Sequence, residues 1–225
     1  MDYLTDVFAL QPLPVTPSIP SKLRGPRIQQ FGPDQFGRFR LTEAIRPTAN
    51  NGVRPTQGFR YDKYLDQEFR TEIPVIMASA SSEILFPLFV QLVQRLGDTV
   101  DVVLETSHEH DSTGHCDLFR EQIEIPILTS ALWDFEELLL NDGCTGIAVI
   151  NPRTPQEIQF DEHKMLIMYG QPLESFEHLL EEFEVPFKPT IRFITEGEHV
   201  HASSAEYHRE FQRLAACLGT EPEPA

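Results

Sequence analysis

Amphipathic helices alternating with single strands across the last two thirds of the chain predict an α/β (or α+β) layered domain, a central mixed sheet with helices packed on it. Two further observations refine that class. Three successive strand-like runs in the middle of the chain imply a meander, which makes the sheet mixed rather than purely parallel. The front third has no long periodic segment and is rich in proline and arginine, so it reads as an irregular N-terminal arm. The expected organisation is an arm over 1–72 with a hairpin near 36–60, a core domain over 73–219 and a frayed tail over 220–225.

In the arm, LQPLPVTPSIPSKLRGP loses a backbone donor at each proline and is disfavoured as helix. Asn51-Gly52 is a turn signal, and Phe31, Phe36, Phe39 and Phe59 argue against plain disorder. YDKYLDQEF (61–69) is expected to form a short helix. From residue 73, IPVIMA suits a buried strand. SSEILFPLFVQLVQRLG carries a serine cap, an early glutamate, a closing glycine and apolar residues three and four apart, which together specify a helix. TVDVVLET reads as a strand, and IPILTSALWDFEELLLNDG as one helix ending at Asn141-Asp142-Gly143. CTGIAVIN and the two halves of EIQFDEHKMLIMYG supply the meander, its last two strands joined through Asp161-Glu162-His163. PLESFEHLLEEFEV is an amphipathic helix, TIRFITEG a final strand, and SAEYHREFQRLAACLG the closing helix.

Charge is unevenly spread. Residues 1–72 carry ten Lys and Arg against eight Asp and Glu, a net of +2, which leaves −19 for the rest of a chain whose total is −17. An acidic body of this kind repels nucleic acid and anionic membrane, so neither is an expected partner. No apolar run approaches the ~20 residues that span a bilayer. The opening segment carries Asp2 and Asp6 and no basic region, which does not fit a secretion signal. The expected location is cytoplasmic. Three widely spaced cysteines, Cys116, Cys144 and Cys217, contain no Cys-x-x-Cys pair and read as free thiols.

Few motifs carry chemistry. The chain lacks a Gly-x-Ser-x-Gly elbow and both glycine-rich phosphate loops. Paired carboxylates such as Glu136-Glu137 and Glu181-Glu182 lie on helices, where adjacent side chains do not face each other. What stands out is SHEHDSTGHC (107–116), with His108, His110, Asp111, His115 and Cys116, and a second His-x-His in GEHVH, His199 and His201. On extended backbone His-x-His points both imidazoles to one side, a sensible way to offer two nitrogens to one metal. Convergence of His108, His110, His199 and His201 on zinc or another divalent transition metal is one expectation, with Asp111 or His115 as the acid–base or orienting group. The other is that these are solvated loops and that no cofactor is bound.

Arg38, Arg40, Arg46, Arg54 and Arg60 make the arm basic. They could contact an acidic protein partner or a second copy, or lie against the chain's own carboxylates. The leading expectation is therefore a non-catalytic α/β module acting through protein–protein contacts, regulatory or accessory. The alternative is a metal-dependent hydrolase built on the two His-x-His pairs.

Overall fold

In the computed structural model, residues 31–66, 71–108 and 116–222 are described. The N-terminal segment holds β1 (Gln35–Phe36) and β2 (Phe39–Arg40), paired around Gly37, and then β3 (Ile45–Pro47). There follow β4 (Gly58–Asp66), β5 (Thr71–Ser79), α1 (Ser82–Val93), β6 (Thr99–Thr106) and β7 (Cys116–Glu124). Then come α2 (Ile125–Asp134), α3 (Glu136–Asn141), β8 (Thr145–Ile150), β9 (Gln156–Phe160) and β10 (Leu166–Gly170). The chain closes with α4 (Glu174–Glu182), β11 (His199–His201), α5 (Ala205–Leu218) and β12 (Glu221–Pro222).

The main sheet has eight strands in the order β12-β7-β6-β8-β9-β10-β5-β4. The layered α/β architecture and the β8-β9-β10 meander are present as expected. The sheet is not mixed, however: each strand pair in it is antiparallel. The reason lies in the spacing of the crossovers. Helix α1 does connect two strands that point the same way, β5 and β6, but three meander strands lie between them. Likewise α2 and α3 join β7 to β8 across β6. Strands of opposite direction are interleaved, so no two parallel strands are neighbours.

The five helices among the described residues share one core with one face of the sheet. Leu85, Leu88, Phe89 and Leu92 of α1 pack with Leu128 and Leu132 of α2, Leu138 of α3, Phe176 and Leu180 of α4, and Phe211 and Leu214 of α5. The sheet meets them with Val102, Leu104, Ile147, Val149, Ile158, Phe160 and Met168, successive inward residues of period two. On the opposite face Val75, Met77, Met165, Ile167 and Tyr169 are covered by Ile191 and Phe193. Apolar packing on this scale, roughly 25 cal/mol per Å² removed from water, is what orders the chain.

Four local expectations change. Residues 58–66 form β4 rather than a helix at 61, because nine register pairs with β5 and the aromatic residues Phe59, Tyr61 and Tyr64 favour an edge strand. TIRFITEG is not a sheet strand. Ile191, Phe193 and Ile194 fold down onto the sheet, a 3-10 turn occupies 194–196, and only His199–His201 pairs, with β3. The predicted single helix at 125–143 breaks at Phe135, whose φ of −118° leaves helical space. Finally, β7 is a strand where a loop was expected. It lies near the sheet edge, is largely exposed, and carries a bulge opposite Val100/Val102 with Gln122 at φ 53°, so no apolar alternation marks it.

The second face of the sheet also buries acid. Gln159 Nε2 donates to Glu157 Oε1 at 2.6 Å, while Glu157 Oε2 has no hydrogen-bond partner among the described residues. Burial pushes the Glu157 carboxyl up to about 8, with the nearby Glu105 adding to the rise. Glu105 itself is raised to about 7 by burial and by Asp117, Asp161 and Glu162. A carboxyl held neutral in the folded state and free to ionise in the unfolded one costs stability as pH rises from the ordinary 4.5 to about 8. Glu157→Gln removes that titration. Chemical denaturation from pH 5 to 9 should show the variant gaining on the wild type by on the order of a few kcal/mol. A pH-independent difference would contradict this assignment.

Candidate metal centre

One end of the sheet collects three segments. The pairings Thr106↔Thr145 and Ile147↔Phe160 bring together the end of β6, the start of β8 and the turn between β9 and β10. In that turn Asp161 Oδ1 accepts from Met165 N at 2.8 Å, and Lys164 closes the loop with φ at 61°. The other oxygen, Asp161 Oδ2, lies 3.0 Å from His163 Nδ1. Burial would raise the Asp161 carboxyl, but His163, the Met165 N–H and Lys164 outweigh it and hold the group below the ordinary carboxylate range. Burial likewise pulls the His163 imidazole down, and the carboxylates of Asp161 and Glu162 more than reverse this.

Strand β11 brings the other two imidazoles. Val200 faces Arg46 of β3, so His199 and His201 flank it on a common side. His199 Nδ1 lies 2.7 Å from the carbonyl of Gly197, and His201 Nδ1 lies 2.6 Å from the carbonyl of Gly143. A carbonyl oxygen can only accept, so both Nδ1 atoms must carry the proton. That tautomer leaves Nε2 with its lone pair free, the form in which histidine ligates metal. Burial, with His163 adding to it, depresses both imidazoles, which favours the neutral state.

The three rings face one another. Centroids are 5.1 Å apart for His163–His199, 4.7 Å for His163–His201 and 5.3 Å for His199–His201, and one ligating atom of each lies within 4.8 Å of the others. Metal–nitrogen bonds of about 2.0–2.1 Å in a tetrahedron need nitrogens roughly 3.4 Å apart. Small ring movements close that difference. Each imidazole is backed by an acceptor on its other nitrogen, which is the outer shell that metal-binding histidines usually have.

Glycine makes two of those acceptors available. A Cβ on Gly143 would stand 2.4 Å from the carbonyl oxygen of Ala44, and one on Gly197 would stand 2.4 Å from that of Asn51. The Asn51-Gly52 turn singled out in the sequence thus packs on the segment that carries His199, with Asn51 Nδ2 donating to the Glu198 carbonyl at 2.7 Å.

A second group lies alongside. Ligating atoms of His108, Asp142 and Cys144 fall within 4.8 Å of one another. His108 leaves β6 with Nδ1 2.6 Å from Thr106 Oγ1 and Nε2 3.0 Å from Asp142 Oδ2. Lys164 is buried near this group. Its Nζ donates to the Thr145 carbonyl at 2.7 Å and lies 5.4 Å from the Phe160 ring, and burial brings the amine down to about 8 against the pull of Asp142 and Asp161.

Of the residues expected from sequence, His199 and His201 come together, but with His163 as their companion. His108 belongs to the second group, while His110, Asp111 and His115 lie outside the described residues. In the sequence His163 reads only as a residue of the turn between two meander strands. The signal that could have found it is the Asp-x-His spacing of Asp161 and His163, which lets a carboxylate orient an imidazole. The five arginines are dispersed. Arg40 lies 3.6 Å from Glu83, and Arg60 pairs with Asp62 and Glu196 and covers the Phe193 ring. Arg46 donates to the carbonyls of Thr42 and Ile45, whereas Arg38 and Arg54 are exposed.

Comparison with known proteins adds no relative: no protein-family model matches the chain, and no curated protein or solved structure matches it.

The backbone approach at the two glycines is directly testable. Gly143→Ala and Gly197→Ala should each destabilise the fold by about 1–3 kcal/mol through forced displacement of packed backbone, read as a lowered Tm. An unchanged Tm for both would contradict the close approach.

Proposed function

We propose that the protein is a metal-dependent hydrolase in which His163, His199 and His201 hold a divalent transition metal, zinc fitting the donor set best. Two observations carry this reading: one ring nitrogen of each of the three histidines lies within 4.8 Å of the others, and both histidines of β11 have Nδ1 committed to carbonyl acceptors, which leaves Nε2 as the nitrogen with a free lone pair. Three protein nitrogens are the usual ligand number of a catalytic zinc site, which keeps one position open. A metal so held supplies a water of lowered pKa as nucleophile.

The chain's own residues supply the rest. Asp161, Gly197 and Gly143 orient the three imidazoles. Glu162, whose Oε2 accepts from Ser107 Oγ at 3.0 Å and whose charge acts on His201, is the carboxylate placed to take a proton from a bound water. Acidic neighbours, Asp161 and Glu162 among them, would offset the charge of a cation held by three imidazole nitrogens. The contact-module reading draws on Arg38 and Arg54, and no geometric convergence supports it to the same degree.

Competition of the untagged protein with a chromophoric chelator for zinc tests the site. Removing a ligand with His199→Ala should abolish one equivalent of binding. Asp161→Asn keeps the three ligands but loses the orienting carboxylate, and should weaken that equivalent about 10–100-fold. Hydrolysis of an activated ester by the zinc-loaded protein should fall in both variants. Zinc binding identical in wild type, His163→Ala and His199→Ala would overturn the reading.

A further inference from the structure

A buried carboxylate and a buried imidazole pair with each other at the second group and leave one carboxylate oxygen over among the described residues. The His108 side chain is 5% exposed and the Asp142 side chain 0%. His108 Nε2 pairs with Asp142 Oδ2 at 3.0 Å, and Asp142 Oδ1 has no hydrogen-bond partner among the described residues. Leaving such an oxygen unsatisfied in the interior costs about 1–3 kcal/mol, more where a charge is involved. One ligating atom each of His108 and Asp142 lies with the Cys144 sulfur in one group within 4.8 Å.

We infer that His108, Asp142 and Cys144 form a second, buried metal site of imidazole–carboxylate–thiolate type, suited to zinc and distinct from the three-histidine centre. The chemistry of the donors supports that assignment. Thr106 Oγ1 engages His108 Nδ1 and leaves Nε2 as the ligating nitrogen. Sulfur and imidazole together select a borderline-soft ion such as zinc over magnesium or calcium. One thiolate and one carboxylate neutralise a dication, as a water-poor site requires. On binding, the Cys144 thiol proton leaves to solvent and the sulfur donates its pair to the ion.

The groups around this trio are accounted for. Thr145 Oγ1 donates to Asp142 Oδ2, the Ser203 hydroxyl lies beside the same carboxylate, and the His208 ring stacks 4.8 Å from that of His108. The Lys164 amine feels the charges of Asp142 and Cys144, and its Nζ donates to the Thr145 carbonyl. The two centres meet in a single tripeptide. Asp142 and Cys144 serve the second, and the Gly143 carbonyl between them orients His201 of the first. This inference does not require the hydrolytic reading, only a different set of ligands in the same chain.

The test is zinc titration of the full chain, paired with cobalt substitution and near-ultraviolet absorption, where sulfur-to-cobalt charge transfer reports thiolate ligation. Wild type should bind two equivalents and show the charge-transfer band. Cys144→Ser should lose one equivalent and the band, and His199→Ala should lose the other equivalent and keep the band. Asp142→Asn should also lose the thiolate-linked equivalent. If its full burial prevents folding, Cys144→Ser, at a half-buried position, carries the test. A wild type without the band, with the stoichiometry of Cys144→Ser unchanged, would overturn the second site. Failure of the three-histidine reading alone looks different: one equivalent, with the band, insensitive to His199→Ala.

Discussion

Three backbones pass so closely at Gly143 that no side chain fits there, and the candidate chemistry depends on that approach. Gly143 N donates to the Ala202 carbonyl and Ala202 N donates to that of Ala44, both at 2.8 Å. The segment before β3, the junction of α3 with β8, and the end of β11 are thereby tied into one ladder. Without it His199 and His201 would hang from a two-stranded ribbon of three residue pairs with β3, and such a ribbon alone is marginal. With it, the Gly143 carbonyl is fixed as the acceptor for His201, and its neighbours Asp142 and Cys144 are turned toward His108. A constraint on main-chain spacing is thus converted into the orientation of side chains.

Electrostatics then separate two environments a few residues apart. The three imidazoles have carboxylates close by: Asp161 and Glu162 lie in the same turn as His163, whose imidazole they raise, and Glu105 lies on β6. At His108 the charge sits in the trio itself, in an interior where unpaired polar atoms are costly. The buried Lys164 lies between the two, feeling Asp142 on one side and Asp161 and Glu162 on the other. The strongly negative balance of the chain is therefore partly local, with several carboxylates close to the residues best suited to hold a cation.

How much of this the sequence discloses depends on the range of the interaction. The helices α1, α4 and α5 are legible because their apolar spacing is a local property, satisfied against any sheet. The meander is legible because its turns are short and polar. Strand β7 is not, since nearly all of its residues are exposed or half-buried and no apolar alternation marks it. The TIRFITEG segment misleads for the opposite reason: its apolar residues are real core residues, but they pack onto the sheet face rather than pair within it. The His-x-His of β11 is visible as a ligand pair from period-two geometry. Its partner is not, because the meeting of His163 with β11 depends on a long-range pairing between β11 and β3 and on the backbone ladder at Gly143. The hidden member of a site is the one delivered by topology.

Anomalous diffraction at the zinc edge, from crystals of the full chain grown with stoichiometric zinc, tests the central claim most directly. The account predicts a peak bonded to Nε2 of His199 and of His201, and to a ring nitrogen of His163, at about 2.0–2.1 Å. The Nδ1 atoms of His199 and His201 should still lie against the Gly197 and Gly143 carbonyls. Zinc that avoids these three histidines, or binds them through the Nδ1 atoms of β11, would contradict it.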